Sequence, residues 1–345
     1  MGDAAVNEAG GGAGPNDPVA VIGAGSWGTA LAILLAGRGH EVRMRDPDPA
    51  VAARLEEERE NRNFLPGFRF PSSLHVMYDI RRAVEGTATA VLAVPSQVMR
   101  SVVEDVPVDL VAGRDWVSAT KGLEEGSGLR MSEVVSQAWP DACAAVLAGP
   151  SLAREVAAGH PTTVLAASRD MGCAQRVRDL FHGPSFRVYT SEDMIGVELG
   201  TALKNIVALA AGILDGMGLG ANAKGALLTR GLAEITRLGV ALGARRETFL
   251  GLAGVGDLVT TCSSPLSRNR SLGEAIGRGI PPARAMAEMT QVAEGVPTTR
   301  SAVALGRRLG IELPIAEQVY CVLFEGLDPR EALCRLMARP PRTEE

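Results

Sequence analysis

The fold of this chain is decided by the stretch Val19-Ala20-Val21-Ile22-Gly23-Ala24-Gly25-Ser26-Trp27-Gly28-Thr29-Ala30. It places a G-x-G-x-x-G pattern between an apolar run typical of a buried strand and an Ala/Leu run typical of a helix. Gly23 permits a tight turn, Gly25 lets a pyrophosphate approach the backbone, and Gly28 lets helix and strand pack closely. We predict a dinucleotide-binding turn, with the phosphates at the helix N-terminus. The alternative is a structural turn that binds nothing.

Outward from this turn, apolar β-branched runs alternate with helical stretches as far as about Thr190. This alternation predicts an α/β fold, a doubly wound, mostly parallel, Rossmann-like sheet. The predicted strands are 19–22, 41–45, 90–94, 116–119, 144–148, 162–166 and 186–189. Beyond about Ser191 the period is helical, which predicts an all-α C-terminal domain. The predicted helices are 194–214, 222–242, 272–276, 283–289, 298–309 and 315–324.

These patterns predict four parts of the chain. Residues 18–191 would form a dinucleotide-binding domain and residues 192–338 a helical substrate domain. Residues 1–17, rich in Gly and Ala, would form a disordered tail, and residues 339–345 a second tail.

Composition excludes several classes of function. The net charge of −5 argues against a general affinity for nucleic acid. The five cysteines include no C-x-x-C pair and follow no secretory leader, which favours reduced thiols in the cytoplasm. The four histidines lack metal-ligand spacing, so we expect no metal site. No apolar run approaches about 20 residues, so we expect no membrane insertion.

Three loops at predicted strand ends carry conspicuous residues: Pro95-Ser96, Lys121 within Thr120-Lys121-Gly122, and the run Gly149-Pro150-Ser151. Ligands of open α/β sheets bind beyond the carboxyl ends of the strands, so these loops should converge on one crevice. Lys121 would orient an anionic substrate or the reacting carbonyl there. The alternative is an ordinary surface lysine.

Lys204 lies within an apolar helical run, residues 195–211. A helix that is apolar on all sides is buried, and burial lowers the pKa of a lysine. We therefore consider Lys204 a candidate proton donor and acceptor. The alternative is a lysine that reaches the edge of the helix and pairs with Glu198 or another carboxylate.

A polar segment, residues 254–270, combines Asp257, several hydroxyls and two arginines on a stretch that we predict to be rich in turns. The planar guanidinium of an arginine suits a phosphate, and helix-terminal N–H groups, Ser267 and Asn269 could complete the cradle. The alternative is a capped helix start with solvated arginines. Cys262 has no histidine near it in sequence, so we favour a buried structural thiol over a nucleophile.

With these residues in place, the chain resembles the NAD(P)-dependent glycerol-3-phosphate dehydrogenases of the bacterial type, from about Val19 to Leu336. The resemblance rests on seven motifs in order, at residues 23–32, 119–124, 148–156, 203–205, 256–258, 267–270 and 292–295. It implies the reversible reduction of dihydroxyacetone phosphate to sn-glycerol 3-phosphate, which feeds glycerophospholipid synthesis. It also implies that Lys204 is the general acid and base.

The resemblance implies contacts for both ligands. The substrate contacts would be Lys121, Gly149, Ser151, Lys204, Asp257, Ser267, Arg268 and Asn269. The cofactor contacts would be Ser26, Trp27, Arg45, Lys121, Ala153, Arg268, Val292 and Glu294, beside Gly23, Gly25 and Gly28.

The choice of cofactor depends on the end of the second strand, where Arg45 directly precedes Asp46. An arginine there accommodates a 2′-phosphate, and an acid binds the free ribose hydroxyl. We predict that NADPH is preferred and NADH is a second cofactor. Apolar helices in the second domain favour a homodimer. The alternative functions are a β-hydroxyacid or sugar-acid dehydrogenase, and a redox sensor that binds a dinucleotide without turnover.

Overall fold

A computed structural model describes residues 17–341 and residue 343. The predicted tail at residues 1–17 therefore lies outside the described residues except for Asp17. Within the second predicted tail, residues 342, 344 and 345 also lie outside them.

The first part of the chain forms one eight-stranded sheet. Its strands are β1 Val19–Ile22, β2 Val42–Arg45, β3 Leu74–Met77, β4 Thr89–Leu92, β5 Asp115–Ser118, β6 Cys143–Ala148, β7 Thr162–Ala167 and β8 Phe186–Ser191. Their order is β3-β2-β1-β4-β5-β6-β7-β8. All neighbours are parallel except β6 and β7, which are antiparallel. The predicted doubly wound, mostly parallel sheet is therefore confirmed.

Sequence reasoning missed β3, which lies at one of the two edges of the sheet. Leu74 and Val76 are buried whereas His75 between them is exposed, so only one face of this short strand is apolar. Two apolar residues give too little alternation to separate such a strand from a loop. The central strand β1, by contrast, is buried on both faces. Ala20 and Ile22 belong to the core cluster on one face of the sheet, and Val19 and Val21 belong to the cluster on the other.

Seven helices connect these strands: α1 Ser26–Gly37, α2 Pro49–Glu58, α3 Ile80–Val84, α4 Met99–Asp105, α5 Met131–Ala138, α6 Ala153–Ala157 and α7 Met171–Phe181. Two short 3-10 turns lie at Ser96–Val98 and Val108–Leu110.

The rest of the chain is helical. Its helices are α8 Met194–Gly216, α9 Ala221–Ala241, α10 Asp257–Ser263, α11 Arg268–Gly277, α12 Pro282–Ala287, α13 Gly295–Leu309, α14 Pro314–Phe324 and α15 Pro329–Met337. A 3-10 turn at Arg246–Leu250 and a π-helical turn at Leu252–Gly256 precede α10. The expectation of a turn-rich segment was wrong for residues 257–263, which are α-helical. Sequence reasoning also missed α15.

Helix α8 is the centre of the helical part. A Cβ atom on Gly212 would overlap the carbonyl oxygen of Arg270, and one on Gly273 would overlap that of Leu209, so α8 and α11 pack backbone to backbone. Helix α8 has 23 residues, and an 18-residue window of it has a mean hydropathy of 1.5, enough in length and composition to cross a membrane. That window is wholly buried in this fold. The expectation that no apolar run approaches that length was wrong for α8. Its apolar surface instead packs against the other helices.

Candidate active site

The glycine turn has the geometry that a pyrophosphate needs. Gly23 has a φ of +113°, and a Cβ atom there would lie 2.5 Å from the Ala93 carbonyl oxygen. A Cβ on Gly28 would overlap the Gly23 carbonyl oxygen, whereas one on Gly25 would meet open space. Gly25 is the N-cap of α1 and offers no capping side chain. The first amides of α1 therefore keep their capacity to bind an anion, and these residues fit a dinucleotide.

Beside this turn lies a cavity of about 480 Å³ between the sheet and the helices. Most of the predicted site residues line it. They are Gly25, Ser26, Trp27, Lys121, Ser151, Ala153, Lys204, Ser267, Arg268, Asn269, Val292 and Glu294. Five do not form its wall: Gly23, Gly28, Arg45, Gly149 and Asp257.

Two lysines meet one carboxylate at the wall of this cavity. Lys204 Nζ donates to Asp257 Oδ1 and to Thr261 Oγ1, each at 2.5 Å. Lys121 Nζ donates to Asp257 Oδ2 at 3.0 Å and to the Gly149 carbonyl oxygen at 2.8 Å, and lies 3.4 Å from Ser151 Oγ. Asp257 thus bridges the sheet loop and α8. The alternative for Lys204 holds only in part. Lys204 pairs with a carboxylate, but the partner is Asp257, since Glu198 pairs with Arg130, and Lys204 is buried and does not reach an exposed edge.

Lys204 is buried, with 4% of the residue exposed. Burial, the largest effect, lowers the pKa of its ammonium to about 8. The negative charge of Asp257 raises this pKa, and the positive charge of Lys121 lowers it. An ammonium has three N–H donors, and two are used by Asp257 and Thr261. The group therefore retains one donor beside the cavity and titrates near neutral pH, as a proton donor and acceptor requires.

The sequence between the π-helical turn and α11 positions these partners. Asp257 begins α10, and Thr261 lies one turn later on the same face, with its hydroxyl 3.3 Å from Asp257 Oδ1. Cys262 follows on α10. Its side chain is fully buried, and burial raises the pKa of the thiol to about 12. These properties match the buried structural thiol and not a nucleophile.

At the start of α11 the two arginines have different environments. Ser267 is the N-cap and accepts from the Arg270 amide at 3.3 Å. Arg270 is 2.7 Å from Asp215 and 3.2 Å from Glu274. Arg268 is exposed and lines the cavity, and no carboxylate among residues 17–341 and 343 lies within ion-pair distance of it. The free guanidinium beside a helix N-terminus can therefore bind an anion.

Amide side chains join α11 to α8 and α13. Asn269 Nδ2 donates to Asn205 Oδ1, and Asn269 Oδ1 accepts from the Gly295 amide, each at 2.9 Å. Both asparagines are buried, at 7% and 4% exposure. Asn269 therefore holds three helices in place at the cavity wall.

The segment before α13 contacts two loops of the sheet. Ser26 Oγ donates to Gln291 Oε1 at 2.7 Å. Glu294 accepts from the Ser96 amide at 3.0 Å and closely from the Ser96 hydroxyl. Burial raises the pKa of the Glu294 carboxyl. The indole N–H of Trp27 is buried, and no described residue accepts it. These contacts bring residues 290–294 against the glycine turn.

Arg45 ends β2, and its guanidinium faces two neighbours. Its Nε donates to the Tyr78 carbonyl oxygen at 3.2 Å, and its Nη2 lies 3.4 Å from Asp105 Oδ2. Arg45 is 9% exposed, whereas Asp105 is solvated. Burial raises the pKa of the adjacent Asp46 carboxyl. Arg45 and Asp46, the two residues proposed to select the cofactor, thus both lie at the end of β2.

Residues of this site that were not predicted as contacts include Asn205, Thr261 and Gln291. Asn205 and Thr261 line the cavity. The available signals were the adjacency of Asn205 to Lys204 and the four-residue spacing from Asp257 to Thr261, which has meaning only on a helix. Ser96 was singled out as part of a loop at a strand end, but its bond to Glu294, 198 residues away, could not be inferred.

Outside the cavity, Asp115, Cys143 and Cys173 place their ligand-type atoms within 4.8 Å of one another. The guanidinium of Arg176 bonds both oxygens of Asp115, at 2.7 and 2.8 Å, and lies 3.6 Å from Cys143 Sγ. A fixed positive charge therefore already neutralises this cluster, which disfavours a metal cation there.

The match to known proteins covers most of the chain. Family models described as NAD-dependent glycerol-3-phosphate dehydrogenase N-terminus and C-terminus match residues 18–174 and 193–334. The glycerol-3-phosphate dehydrogenase [NAD(P)+] of Anaeromyxobacter dehalogenans is 50% identical over 94% of this chain and 98% of its own length. That of Geobacillus kaustophilus is 49% identical over 94% and 96%.

A solved structure gives the same result. The crystal structure of glycerol-3-phosphate dehydrogenase from Coxiella burnetii aligns with a TM-score of 0.91 and 41% identity, covering 94% of this chain and all of that one. At this identity and coverage, sequence and fold agree. The chain belongs to the NAD-dependent glycerol-3-phosphate dehydrogenase family.

Proposed function

We propose that this protein catalyses the reversible reduction of dihydroxyacetone phosphate to sn-glycerol 3-phosphate with NAD(P)H, for glycerophospholipid synthesis. One observation carries the proposal. A buried lysine with a pKa of about 8 and the unpaired guanidinium of Arg268 line one cavity beside the glycine turn. A carbonyl and a phosphate on the same small molecule would engage both groups. The names of the relatives support the same reaction.

The cofactor, when bound, supplies the hydride. Its pyrophosphate would lie on the amides at the start of α1, with Gly23, Gly25, Ser26, Trp27 and Gly28 forming the turn. The other proposed contacts are Lys121, Ala153, Arg268, Val292 and Glu294, which line the same cavity. Glu294 is already fixed there by Ser96.

Lys204 would donate a proton from Nζ to the carbonyl oxygen during reduction and accept it back during oxidation. Asp257 and Thr261 fix the position of Nζ, so its third N–H is available to the substrate. Asp257 also favours the ammonium form, and Lys121, held on the same carboxylate, disfavours it. Burial is the largest effect on this group, and together with these opposed charges it places the pKa where both directions of proton transfer are accessible.

The phosphate of the substrate would bind at the start of α11. Arg268 provides the charged fork, and Ser267 and Asn269 provide polar groups at the same helix end. Lys121, Gly149 and Ser151 would position the substrate from the sheet side, where Lys121 Nζ already binds the Gly149 carbonyl oxygen.

The direct test is the loss of NADPH absorbance when dihydroxyacetone phosphate is added. We expect turnover with this substrate and almost none with unphosphorylated dihydroxyacetone, because Arg268 would then lack its anion. Hydroxyacids assayed in the oxidative direction provide the comparison. Preferred turnover of a hydroxyacid would instead support the second dehydrogenase hypothesis. No turnover with any substrate would support the redox sensor.

We further propose that NADPH is preferred and that NADH is a second cofactor, with Arg45 binding the 2′-phosphate. Arg45→Ala should lower the ratio of kcat/KM for NADPH to that for NADH by about ten- to a hundredfold, the size of a lost bond to a charged group. Arg43→Ala, on the same strand, is the matched control because Arg43 is engaged by Glu41. An unchanged ratio in Arg45→Ala would exclude Arg45 as the selecting residue.

We also propose a cytoplasmic homodimer in which residues 18–191 bind the dinucleotide and residues 192–338 complete the substrate site. The five cysteines, none in a disulfide, fit a reducing compartment. Sedimentation of the purified protein tests the dimer, and a monomer at micromolar concentration would contradict it.

A further inference from the structure

A second cavity, of about 550 Å³, lies within the helical part and shares no wall residue with the first. Helices α8, α9, α14 and α15 form it. We call it the α9–α15 cavity. Its volume falls in the range of small-molecule sites, about 300–1,000 Å³.

The wall of the α9–α15 cavity is aliphatic. Its apolar side chains are those of alanine, leucine, isoleucine, valine, methionine and proline, and no aromatic ring lines it. Representative members from the four helices are Leu214, Ala226, Val319 and Leu336. Such a wall offers no stacking surface for a planar ring and suits a flexible hydrocarbon chain. Met217 and Met337 can adapt to its shape.

Among the described polar groups of this wall, the guanidinium of Arg230 has neither a carboxylate nor a carbonyl partner. Arg339 pairs with Glu312 at 2.8 Å, and Arg237 donates to the Glu312 carbonyl oxygen at 2.6 Å. Glu234 accepts from the amides of Ile315 and Ala316, at 2.7 and 3.3 Å. Arg230 lies one turn before Glu234 on α9 and is exposed. No carboxylate in the described part of the chain lies within 4.0 Å of its guanidinium.

From this combination we propose that the α9–α15 cavity binds a single-chain anionic amphiphile. The hydrocarbon chain lies against the aliphatic wall and the acidic head binds Arg230. Because the wall includes Ala210 of α8, six residues after Lys204, the bound chain would contact the helix that carries the proposed proton donor, about 9 Å further along its axis. The proposal does not depend on the reaction assigned to the other cavity.

The test uses laurate below its micellar concentration and equilibrium dialysis against the full-length protein. We expect saturable binding of one laurate per chain. A series from octanoate to laurate should bind more tightly with length, by up to about fourfold for each buried CH₂, equivalent to about 0.8 kcal/mol. Dodecyltrimethylammonium, with the same chain and a cationic head, should bind at least about tenfold more weakly than laurate.

Two variants locate the site. Ala226→Trp places an indole into the cavity from an exposed position on α9 and should abolish binding, whereas Ala241→Trp, exposed at the end of α9 and outside the cavity, should not. Arg230→Glu should weaken laurate binding at least about tenfold. Its control is Arg308→Glu, a charge reversal at an exposed position on α13, which should leave laurate binding unchanged. Melting temperatures establish that all four variants are folded.

The outcomes decide the proposal. It is overturned if laurate shows no saturable binding, or if Ala226→Trp binds it as the parent does. It is also overturned if both dodecyl compounds bind equally, since the charge of Arg230 would then have no role. If laurate does not bind and Ala226→Trp converts a dimer to a monomer in sedimentation, a second copy of the chain covers this cavity and the proposal is wrong.

Discussion

Helix α8 carries two buried charges, Glu198 and Lys204, which are 5% and 4% exposed. Each pairs with a residue from another element: Glu198 with Arg130 at 2.6 Å, and Lys204 with Asp257 at 2.5 Å. Six residues apart on one apolar helix, they are equivalent by composition and burial. The difference between them lies in their hydrogen-bond partners.

Both oxygens of Glu198 are used. They accept from the Ser132 amide at 2.8 Å and from the Ser132 hydroxyl at 2.5 Å, in addition to Arg130. Lys204 keeps one N–H donor and lines the cavity. Glu198 therefore joins the sheet part to the helical part, whereas Lys204 can act on a ligand. Burial of a charge thus identifies a site only when the partners leave part of its hydrogen-bonding capacity unused.

The largest expected effect comes from removing Lys204. Lys204→Ala should lower kcat about 10²–10⁴-fold, the usual contribution of a general acid, while the Kd for NADPH stays unchanged. The fold should tolerate the change, because Asp257 retains Lys121. Lys224→Ala is the matched control, because Lys224 lies on α9 and pairs with a different carboxylate, Asp215 of α8. Equal losses of turnover and of cofactor affinity in Lys204→Ala would indicate a structural role.

The converse prediction concerns Glu198. Glu198→Ala leaves Arg130 buried without its carboxylate and should lower the free energy of unfolding by about 3–5 kcal/mol. The kcat of the folded fraction should not change, because Glu198 does not line the cavity. Urea unfolding measures the free energy of unfolding, and turnover divided by the concentration of folded enzyme measures kcat. A large loss of kcat at normal stability would break the distinction between the two charges.

The smallest effect is the pH dependence. Reduction needs the Lys204 ammonium, so kcat/KM in that direction should be level below pH 8 and fall about tenfold per pH unit above it. Oxidation needs the free amine and should show the opposite profile, rising to a plateau above about pH 8. Asp257→Asn should move both midpoints to lower pH, since the carboxylate raises the pKa of Lys204. Identical profiles in both directions would exclude this lysine as the titrating group.

Much of the fold followed from local patterns. Most central strands could be predicted because both of their faces are apolar. Of the two edge strands, each buried on one face, the six-residue β8 was predicted and the four-residue β3 was missed because it offers too few alternating residues. Helix α10 was missed because hydroxyls and a cysteine carry no clear helical period, and the preceding π-helical turn has no sequence signature. The predicted length limit for apolar runs failed at α8, where charged residues interrupt the run without ending the helix.

The candidate site was predictable to the extent that its residues lie in recognisable segments. Lys121, Lys204 and Asp257 could each be singled out from their surroundings, but their common centre could not, since Asp257 lies 136 residues from Lys121 and 53 from Lys204. The two arginines of residues 267–270 were indistinguishable in sequence. The tertiary structure distinguishes them. Asp215 at the end of α8 forms an ion pair with Arg270, whereas no carboxylate of the described residues forms one with Arg268.

The sequence by itself determined the glycine turn, the mostly parallel sheet, the helical second part and the family. These depend on the steric requirements of glycine and on hydrophobic period, both of which act between near neighbours in the chain. The tertiary structure decided which buried charge keeps a free donor, which arginine remains unpaired, and that a second cavity exists between α9 and α15. These depend on which distant side chains meet, and in a close-packed interior that follows from the packing of whole helices.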